Sequence, residues 1–373
     1  MNKDILNIVV TGGPCGGKTS ALNELTLLLR SYGYTVYLVD EVATELINDG
    51  IKPFGDNSID IKSFQSLVFD AQISKEEIRK KAASFCPNSK VAILYDRGLL
   101  DNRGYIKDAI FEEIIKERNI SETDIITRYD LVIHLVTAAI GKEEYYTTLN
   151  NSARTETPEQ ARMQDRKTME AWRNHPNLKI VGNDTLFEEK IQKVKNYIRA
   201  YIGEEEVIKQ ERYIIDINDI DLNNFLHHMI KEVIEEFVLN YDNDEIEIFS
   251  KSTINGSSYY TCIKKKKNDD TKICRTISSN EYFNYRSKIK GNVIEKIRYN
   301  FIQDQERYRL DLFNLSGYPL AILERDITNI NIKGIPNFIK NATIITNNRD
   351  YDDDSIFVDY NIDRIYKKIK DNK

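Results

Sequence analysis

One segment near the start of the chain has the residue types and spacing that bind phosphate. Residues 12–19 read Gly-Gly-Pro-Cys-Gly-Gly-Lys-Thr, which fits GxxxxGK followed by Ser or Thr, between the apolar run IVV and a leucine-periodic stretch. Glycines let backbone N–H groups turn toward phosphate oxygens, and a following helix adds its positive dipole end. Lys18 would reach the β and γ phosphates, and the Thr19 hydroxyl would bind Mg²⁺. The predicted nucleotide-binding residues are Gly12, Gly13, Pro14, Cys15, Gly16, Gly17, Lys18, Thr19 and Ser20.

Two acidic residues follow apolar runs that are predicted to be neighbouring strands. Asp96 ends the run VAILYD and is followed by Arg97, a fixed cation facing the same crevice. In folds of this kind an Asp at that place binds Mg²⁺, so Thr19 and Asp96 are the predicted metal ligands; the alternative is an Asp that caps the next helix. Glu41 follows the second run, where a carboxylate could accept the proton of a substrate hydroxyl. It could equally be a helix-start carboxylate favoured by the dipole.

A third set of candidate residues lies between the fourth and fifth predicted strands. Arg154, Arg162 and Arg166 flank a helix that is predicted to start after Thr157-Pro158. Arginines on a lid over the nucleotide would neutralise transition-state charge and exclude water. The alternative is a surface helix whose arginines pair with its own acidic residues. The predicted catalytic residues are Lys18, Glu41, Asp96, Arg154 and Arg162.

The elements that would position these residues alternate along residues 1–203. Short apolar, β-branched runs separated by helical stretches predict a doubly wound α/β domain with a parallel sheet. The predicted strands are 8–10, 35–39, 91–95, 131–136 and 178–181. The predicted helices are 18–31, 62–83, 104–118, 157–174 and 185–202.

The pattern changes after an acidic linker at 203–206, and residues 204–373 form the second predicted domain. Runs of period two at 245–249, 259–264, 295–301, 307–313 and 320–327 predict an antiparallel sheet or barrel. Lys296 with Arg298, and Glu324 with Asp326, would each share a face. The simple alternative is that these charged side chains face the solvent.

Composition excludes several classes of protein. A length of 373 residues predicts two or three domains, and a net charge of −6 argues against nucleic-acid binding. The sequence contains no run of about 18 apolar residues, so no transmembrane segment is predicted. Four widely spaced cysteines favour neither a disulfide framework nor a zinc site, so a reduced, cytoplasmic location is predicted.

The first domain resembles a known P-loop family. The shared features are TGGPCGGKTS, DEVATELI, YDRGLLD, NNSARTETPEQAR and WRNHPNLKIVGND. They are similar to an AAA-type P-loop family that includes the ribosylnicotinamide kinase domain of the bacterial NAD-regulatory protein, and to the GTP-binding proteins named for a photoreceptor-channel translocation defect. The resemblance covers about residues 1–203 and implies a nucleoside-kinase-like fold. It also implies Glu41 as base, Thr19 and Asp96 at Mg²⁺, and Arg154 and Arg162 in the lid.

The second domain resembles the CYTH, or triphosphate-tunnel, fold, an antiparallel β-barrel. The motifs are YTCIKKK, EKIRYNF, YRLDLF, LAILERDIT and IPNFI. Active tunnel enzymes carry ExExK on the first strand, where this chain has residues 209–213, KQERY. Glu245 and Glu247 replace the arginines expected on the third strand. The resemblance implies a site for a phosphorylated ligand formed by Lys264, Lys296, Arg298, Arg309, Glu324 and Asp326.

Three functions are therefore predicted as alternatives. The first is a Mg²⁺-dependent ATP- or GTP-binding protein with kinase-like phosphoryl transfer and a CYTH-like domain that binds an unknown phosphorylated small molecule. The second is a nucleotide-switched protein that binds an anionic lipid or polyphosphate with little catalysis. The third is a triphosphatase that works in the second domain.

Overall fold

The chain divides into two compact units, Met1–Ile202 and Gly203–Lys373, called here the first and second unit. A computed structural model describes residues 4–146, 157–204, 210–221, 229–240, 245–266, 273–289, 293–313, 320–327 and 335–346. None of the helices in this described part has the length and apolarity needed to cross a bilayer. Arg154 lies outside the described residues.

The first unit is built on a five-stranded parallel sheet. Its strands are β1 Asp4–Gly12, β2 Thr35–Val39, β3 Lys90–Asp96, β4 Leu131–Leu135 and β5 Leu178–Val181. They are ordered β2-β3-β1-β4-β5. The central strands are buried because helices cover both faces of such a sheet, which explains their apolar runs. The parallel α/β sheet predicted for this half is confirmed.

Seven α-helices are described in the first unit: α1 Lys18–Ser31, α2 Val42–Asn48, α3 Ile61–Phe85, α4 Asp108–Glu117, α5 Glu122–Ile126, α6 Pro158–Ala171 and α7 Phe187–Ile202. Thr157 caps α6 by accepting a hydrogen bond from Gln160 N, as its Thr-Pro start predicts.

The helix predicted over 104–118 is present, but it begins four residues later than predicted, as α4 Asp108–Glu117. Before it the chain forms a 3-10 helix, Leu99–Tyr105, followed by an extended break. Asp101 causes part of this difference, because its carboxylate accepts a hydrogen bond from Gly98 N at 2.7 Å and fixes the preceding turn.

The second unit contains an antiparallel sheet of nine described strands. They are β6 Gln210–Asp216, β7 Glu232–Asn240, β8 Glu245–Ile254, β9 Ser257–Lys266, β10 Ile273–Ile277, β11 Ile294–Gln303, β12 Glu306–Phe313, β13 Leu320–Asp326 and β14 Thr343–Ile344. Their order is β10-β9-β8-β7-β11-β12-β13-β6-β14, and α8 Ser279–Arg286 packs against β8 and β9. The antiparallel sheet is as predicted, but among the described strands it is not closed into a barrel. The edge strand β14 has two residues and, among the described strands, pairs with β6.

Candidate functional site

The predicted phosphate-binding loop joins β1 to α1, and its backbone requires glycine at two positions. Gly12 has φ +136°, and a Cβ there would lie 2.0 Å from the carbonyl oxygen of Leu135. Gly17 has φ +91° and is the N-terminal cap of α1. Close approach to β4 and a left-handed turn into the helix therefore explain these two glycines.

Lys18 is buried at the start of α1 and reaches back across the loop. Its Nζ donates hydrogen bonds to Gly12 O at 3.2 Å and Gly13 O at 3.0 Å. Thr19 and Ser20, by contrast, are exposed in the first turn of α1. A phosphate bound by the loop would meet the ammonium group of Lys18 in a poorly solvated place, where charge interactions are strong.

Asp96 ends β3, the strand beside β1 in the sheet. Its side chain is largely buried, and within the described residues Oδ1 has no hydrogen-bond partner. Burial raises the pKa of Asp96 to about 6, and Lys18 partly offsets this rise. An orphaned carboxylate oxygen near a phosphate-binding loop fits an acid that binds a hard cation such as Mg²⁺.

Glu41 and Arg97 form an ion pair next to the loop. Arg97 Nε donates to Glu41 Oε1, and its Nη1 donates to Gly12 O at 3.2 Å. The other oxygen of Glu41 accepts from Thr44 Oγ1 at 2.9 Å. Although burial would raise the pKa of Glu41, the charges of Arg97 and Lys18 lower it to about 2. Glu41 is therefore a firmly ionised anchor for Arg97.

Asp101 was missed by the sequence analysis. It accepts a hydrogen bond from Thr11 Oγ1, and Trp172 Nε1 donates to its Oδ2 at 3.3 Å. Arg97 Nη1 lies 3.6 Å from its Oδ1. Asp101 therefore ties the end of β1 to the segment after β3. The only signal in the sequence was an acidic residue shortly after the Asp-Arg-Gly motif.

Arg162 lies on α6, where it contacts the loop after β4 and not the phosphate-binding loop. Its Nε donates to Ala139 O at 2.6 Å, and Nη2 lies 3.7 Å from Glu143. Arg166 on the same helix is exposed.

A buried polar cluster behind the loop was also missed. It contains Asp165 of α6, His134 of β4 and Lys190 of α7, all buried. Lys190 Nζ donates to Val136 O at 2.8 Å, and burial lowers the pKa of Lys190 to about 8. His134 is an isolated polar residue in an apolar run, whereas Asp165 and Lys190 stand among other polar residues of their helices, so that the sequence does not mark them as buried.

In the second unit, the register of the paired strands places eleven charged side chains of the described residues on one side of the sheet. One of them, Asp216, ends β6 and accepts a hydrogen bond from Asn218 N at 3.0 Å. The other ten lie on the neighbouring strands β7, β11, β12, β13 and β6. They are called here the charged face: Arg212, Glu232, Glu236, Lys296, Arg298, Arg307, Arg309, Asp311, Glu324 and Asp326. The predicted pairs, Lys296 with Arg298 and Glu324 with Asp326, are both on it.

Ion pairs connect the members of the charged face. Asp311 lies 2.9 Å from Lys296 Nζ and accepts from Arg298 at 2.6 Å and 2.7 Å. Arg309 lies 3.1 Å from both Glu324 and Asp326. These contacts form two groups, one that joins β11 to β12 and one that joins β12 to β13.

Two residues of β6, Arg212 and Gln210, lie beside the acids of β13, whereas Glu211, which the CYTH resemblance matches to an acid of ExExK, faces the other side of the sheet and pairs with Arg325. Arg212 lies 3.1 Å from Glu324, and Gln210 donates to Asp326 at 2.7 Å. These acids therefore have cationic or amide partners from their own sheet.

The charged face is not the cationic cluster that the sequence suggested. Five cations and five carboxylates give a net charge of zero over its described residues (5 − 5 = 0). Lys264 does not belong to it, because Lys264 pairs with Glu247 on the opposite side of the sheet and is exposed. That side carries the aromatic residues that pack against α8.

Comparison with known proteins supports the assignment of the first unit. A family model described as an AAA domain matches residues 7–190, which include the phosphate-binding loop. No curated protein matches the chain.

Two solved structures are similar to part of the chain: the crystal structures of the hypothetical protein NE1496 and of the inorganic triphosphatase NE1496. The former is 13% identical, with coverage of 40% of this chain and 97% of its own and a TM-score of 0.29. The latter is 14% identical, with 41% and 95% coverage and a TM-score of 0.29. This likeness is too distant to assign a fold or an activity.

Proposed function

We propose that the first unit binds ATP or GTP with Mg²⁺ and transfers the terminal phosphoryl group to a small acceptor. The observation that supports this proposal best is the placement of Lys18 and Asp96 at the same edge of the sheet. A buried lysine in the loop, and a largely buried carboxylate whose Oδ1 has no hydrogen-bond partner among the described residues, lie at the carboxyl ends of neighbouring parallel strands. Ligands of open α/β sheets bind at this edge.

Asp96 and Thr19 would hold the magnesium ion. The unpartnered Oδ1 of Asp96 and the exposed hydroxyl of Thr19 are hard oxygen donors of the kind that Mg²⁺ prefers. When bound, Mg²⁺ neutralises the charge that develops on the transferred phosphoryl group. Lys18 contributes a further positive charge from the protein itself.

Glu41 and Arg97 suit charge stabilisation better than proton transfer. A carboxylate with a pKa of about 2 is a weak base at neutral pH, because catalytic bases work best with a pKa near the working pH. Arg97, held by Glu41 next to Gly12, would instead stabilise phosphate charge. Arg154 and Arg162 remain proposed lid residues of the same site.

The nucleotide-binding proposal predicts that Lys18→Ala abolishes ligand stabilisation. A nucleotide at a hundred-fold excess over Kd should stabilise the wild-type first unit by about 2.7 kcal/mol. The single tryptophan, Trp172, lies in this unit, so its fluorescence during unfolding reports the shift. Lys193→Ala, which alters an exposed ion pair with Asp184, is the control and should behave like wild type. Equal shifts in Lys18→Ala and wild type would contradict the proposal.

A second function is proposed for the charged face of the second unit. Lys296, Arg298 and Arg309 lie together on it, and Lys296 and Arg309 are buried, where interactions between charges are stronger than in water. Each is already paired with a carboxylate. We therefore propose that a phosphorylated ligand binds by competing with these carboxylates.

This second proposal predicts that tripolyphosphate binds the full chain in a Lys18→Ala background, which removes the nucleotide site. Adding Arg309→Ala should weaken binding by about tenfold or more, the effect of losing a charged hydrogen bond. Lys264→Ala, on the opposite side of the sheet, should leave the affinity unchanged. Titration calorimetry measures both effects, with phosphatidic acid vesicles as a separate arm for lipid. Identical behaviour of the two variants would refute the site, and rapid Mg²⁺- or Mn²⁺-dependent phosphate release would indicate a triphosphatase.

A further inference from the structure

We propose that Asp165 is a positioning residue of the phosphate-binding loop, which it holds in place from behind. The proposal rests on the nucleotide-binding function proposed for the first unit. It adds a residue that lies far from the loop in sequence and that no phosphate-binding motif contains.

One oxygen of the Asp165 carboxylate contacts three polar groups. Oδ1 accepts hydrogen bonds from Gly13 N at 2.8 Å and Thr137 N at 3.0 Å, and lies 3.2 Å from His134 Nε2. The side chain is completely buried. Although burial raises its pKa, the contact with His134 and the two backbone amides lower it. An ionised carboxylate makes these hydrogen bonds stronger than neutral ones would be.

This contact determines which loop amides are available to a phosphate. Gly13 N donates to Asp165, and Pro14 has no N–H. The carbonyl oxygen of Pro14 accepts from Thr137 Oγ1, which fastens the same part of the loop to the residues after β4. The first half of the loop is therefore anchored to protein, and phosphate-binding amides begin at Cys15.

The fit between the loop and Asp165 is tight. A Cβ at Gly13 would lie 2.7 Å from Asp165 Oδ1 and 3.0 Å from the Cβ of Thr137. One turn earlier on α6, Arg162 donates to Ala139 O. Helix α6 thus contacts both the loop after β1 and the segment after β4, so that a shift of α6 would move Gly13.

The test is hydrogen–deuterium exchange of the peptide spanning residues 7–20 in the full chain, together with nucleotide Kd. Asp165→Ala should accelerate loop exchange and weaken nucleotide binding, each by about tenfold or more, because the Gly13 amide loses its acceptor. Asp165→Asn keeps an acceptor oxygen but loses the charge and should fall between wild type and Asp165→Ala. Glu122→Gln is the matched control, a buried carboxylate bonded to Arg103 and Asn174 and not to the loop.

The outcomes separate this proposal from the function on which it rests. Unchanged loop exchange in Asp165→Ala overturns the positioning role, even if wild type binds nucleotide. Faster loop exchange in a protein that binds no nucleotide would support the positioning role and reject the proposed function. If Asp165→Ala does not fold, loop exchange in Asp165→Asn equal to that in wild type and Glu122→Gln overturns the positioning role.

Discussion

Asp311→Ala is expected to destabilise the second unit by about 3–5 kcal/mol, the usual result of removing one partner of a buried ion pair. Asp311 is buried between Lys296 and Arg298, and its loss leaves the buried Lys296 and the partly buried Arg298 without their shared carboxylate. Burial raises the pKa of Asp311, but the charges of Arg298 and Lys296 outweigh it and hold the pKa well below its usual range. The contribution to stability is therefore present at neutral pH and is lost as the pH falls.

Two spectroscopic signals separate the units in this experiment. Because the single tryptophan lies in the first unit, its fluorescence transition should stay in place while the far-ultraviolet circular dichroism transition of the second unit moves. Glu235→Ala removes a partly exposed carboxylate that pairs with Lys251, and should change stability little. A loss no larger than in Glu235→Ala would show that the network contributes little.

Asp96→Asn should stabilise the nucleotide-free first unit at pH 8. A pKa raised from 3.8 to about 6 corresponds to about 3 kcal/mol against the ionised folded form. Above pH 6 the carboxylate is charged in both the folded and the unfolded protein, so the folded protein is destabilised by the full free energy of burying the charge. Below pH 4 it is protonated in both states, so the difference between variant and wild type should vanish.

Tryptophan fluorescence in urea at pH 8 and pH 4 measures this difference. Asp56→Asn, at an exposed position of the same unit, is the control. The Asp96→Asn variant should also lose the Mg²⁺ dependence of nucleotide stabilisation. Equal stability of variant and wild type at pH 8 would show that the ionised Asp96 does not destabilise the folded protein, and would weaken the case for a metal ligand at this position.

The parallel sheet of the first unit could be predicted because its central strands are buried on both faces. Runs such as VAILY have apolar residues at successive positions, which indicates a strand that is buried on both faces. The phosphate-binding loop also follows β1 directly. The break between the 3-10 helix and α4 could not be predicted in the same way. It depends partly on Asp101, whose contacts with Thr11 and Trp172 span distant parts of the chain.

The second unit shows the limit of period-two reasoning. Alternation correctly placed Lys296 and Arg298 on one face, because both lie on the same strand. Lys264 lies on another strand, and only the register that pairs it with Glu247 shows that it faces the other way. Asp165 escaped prediction for a related reason, since its partner Gly13 is 152 positions away.

The balance of charge on the charged face has a consequence for how a ligand arrives. Opposite charges a few ångströms apart cancel at a distance, so their field falls off faster than that of a single cation and is screened further by salt. A polyanion approaching the second unit would therefore feel little attraction from this face until it touches it. The rate at which the ligand meets this face would be set by diffusion and shape. Selection between different ligands would begin only when the ligand and the carboxylates compete for the same guanidinium groups.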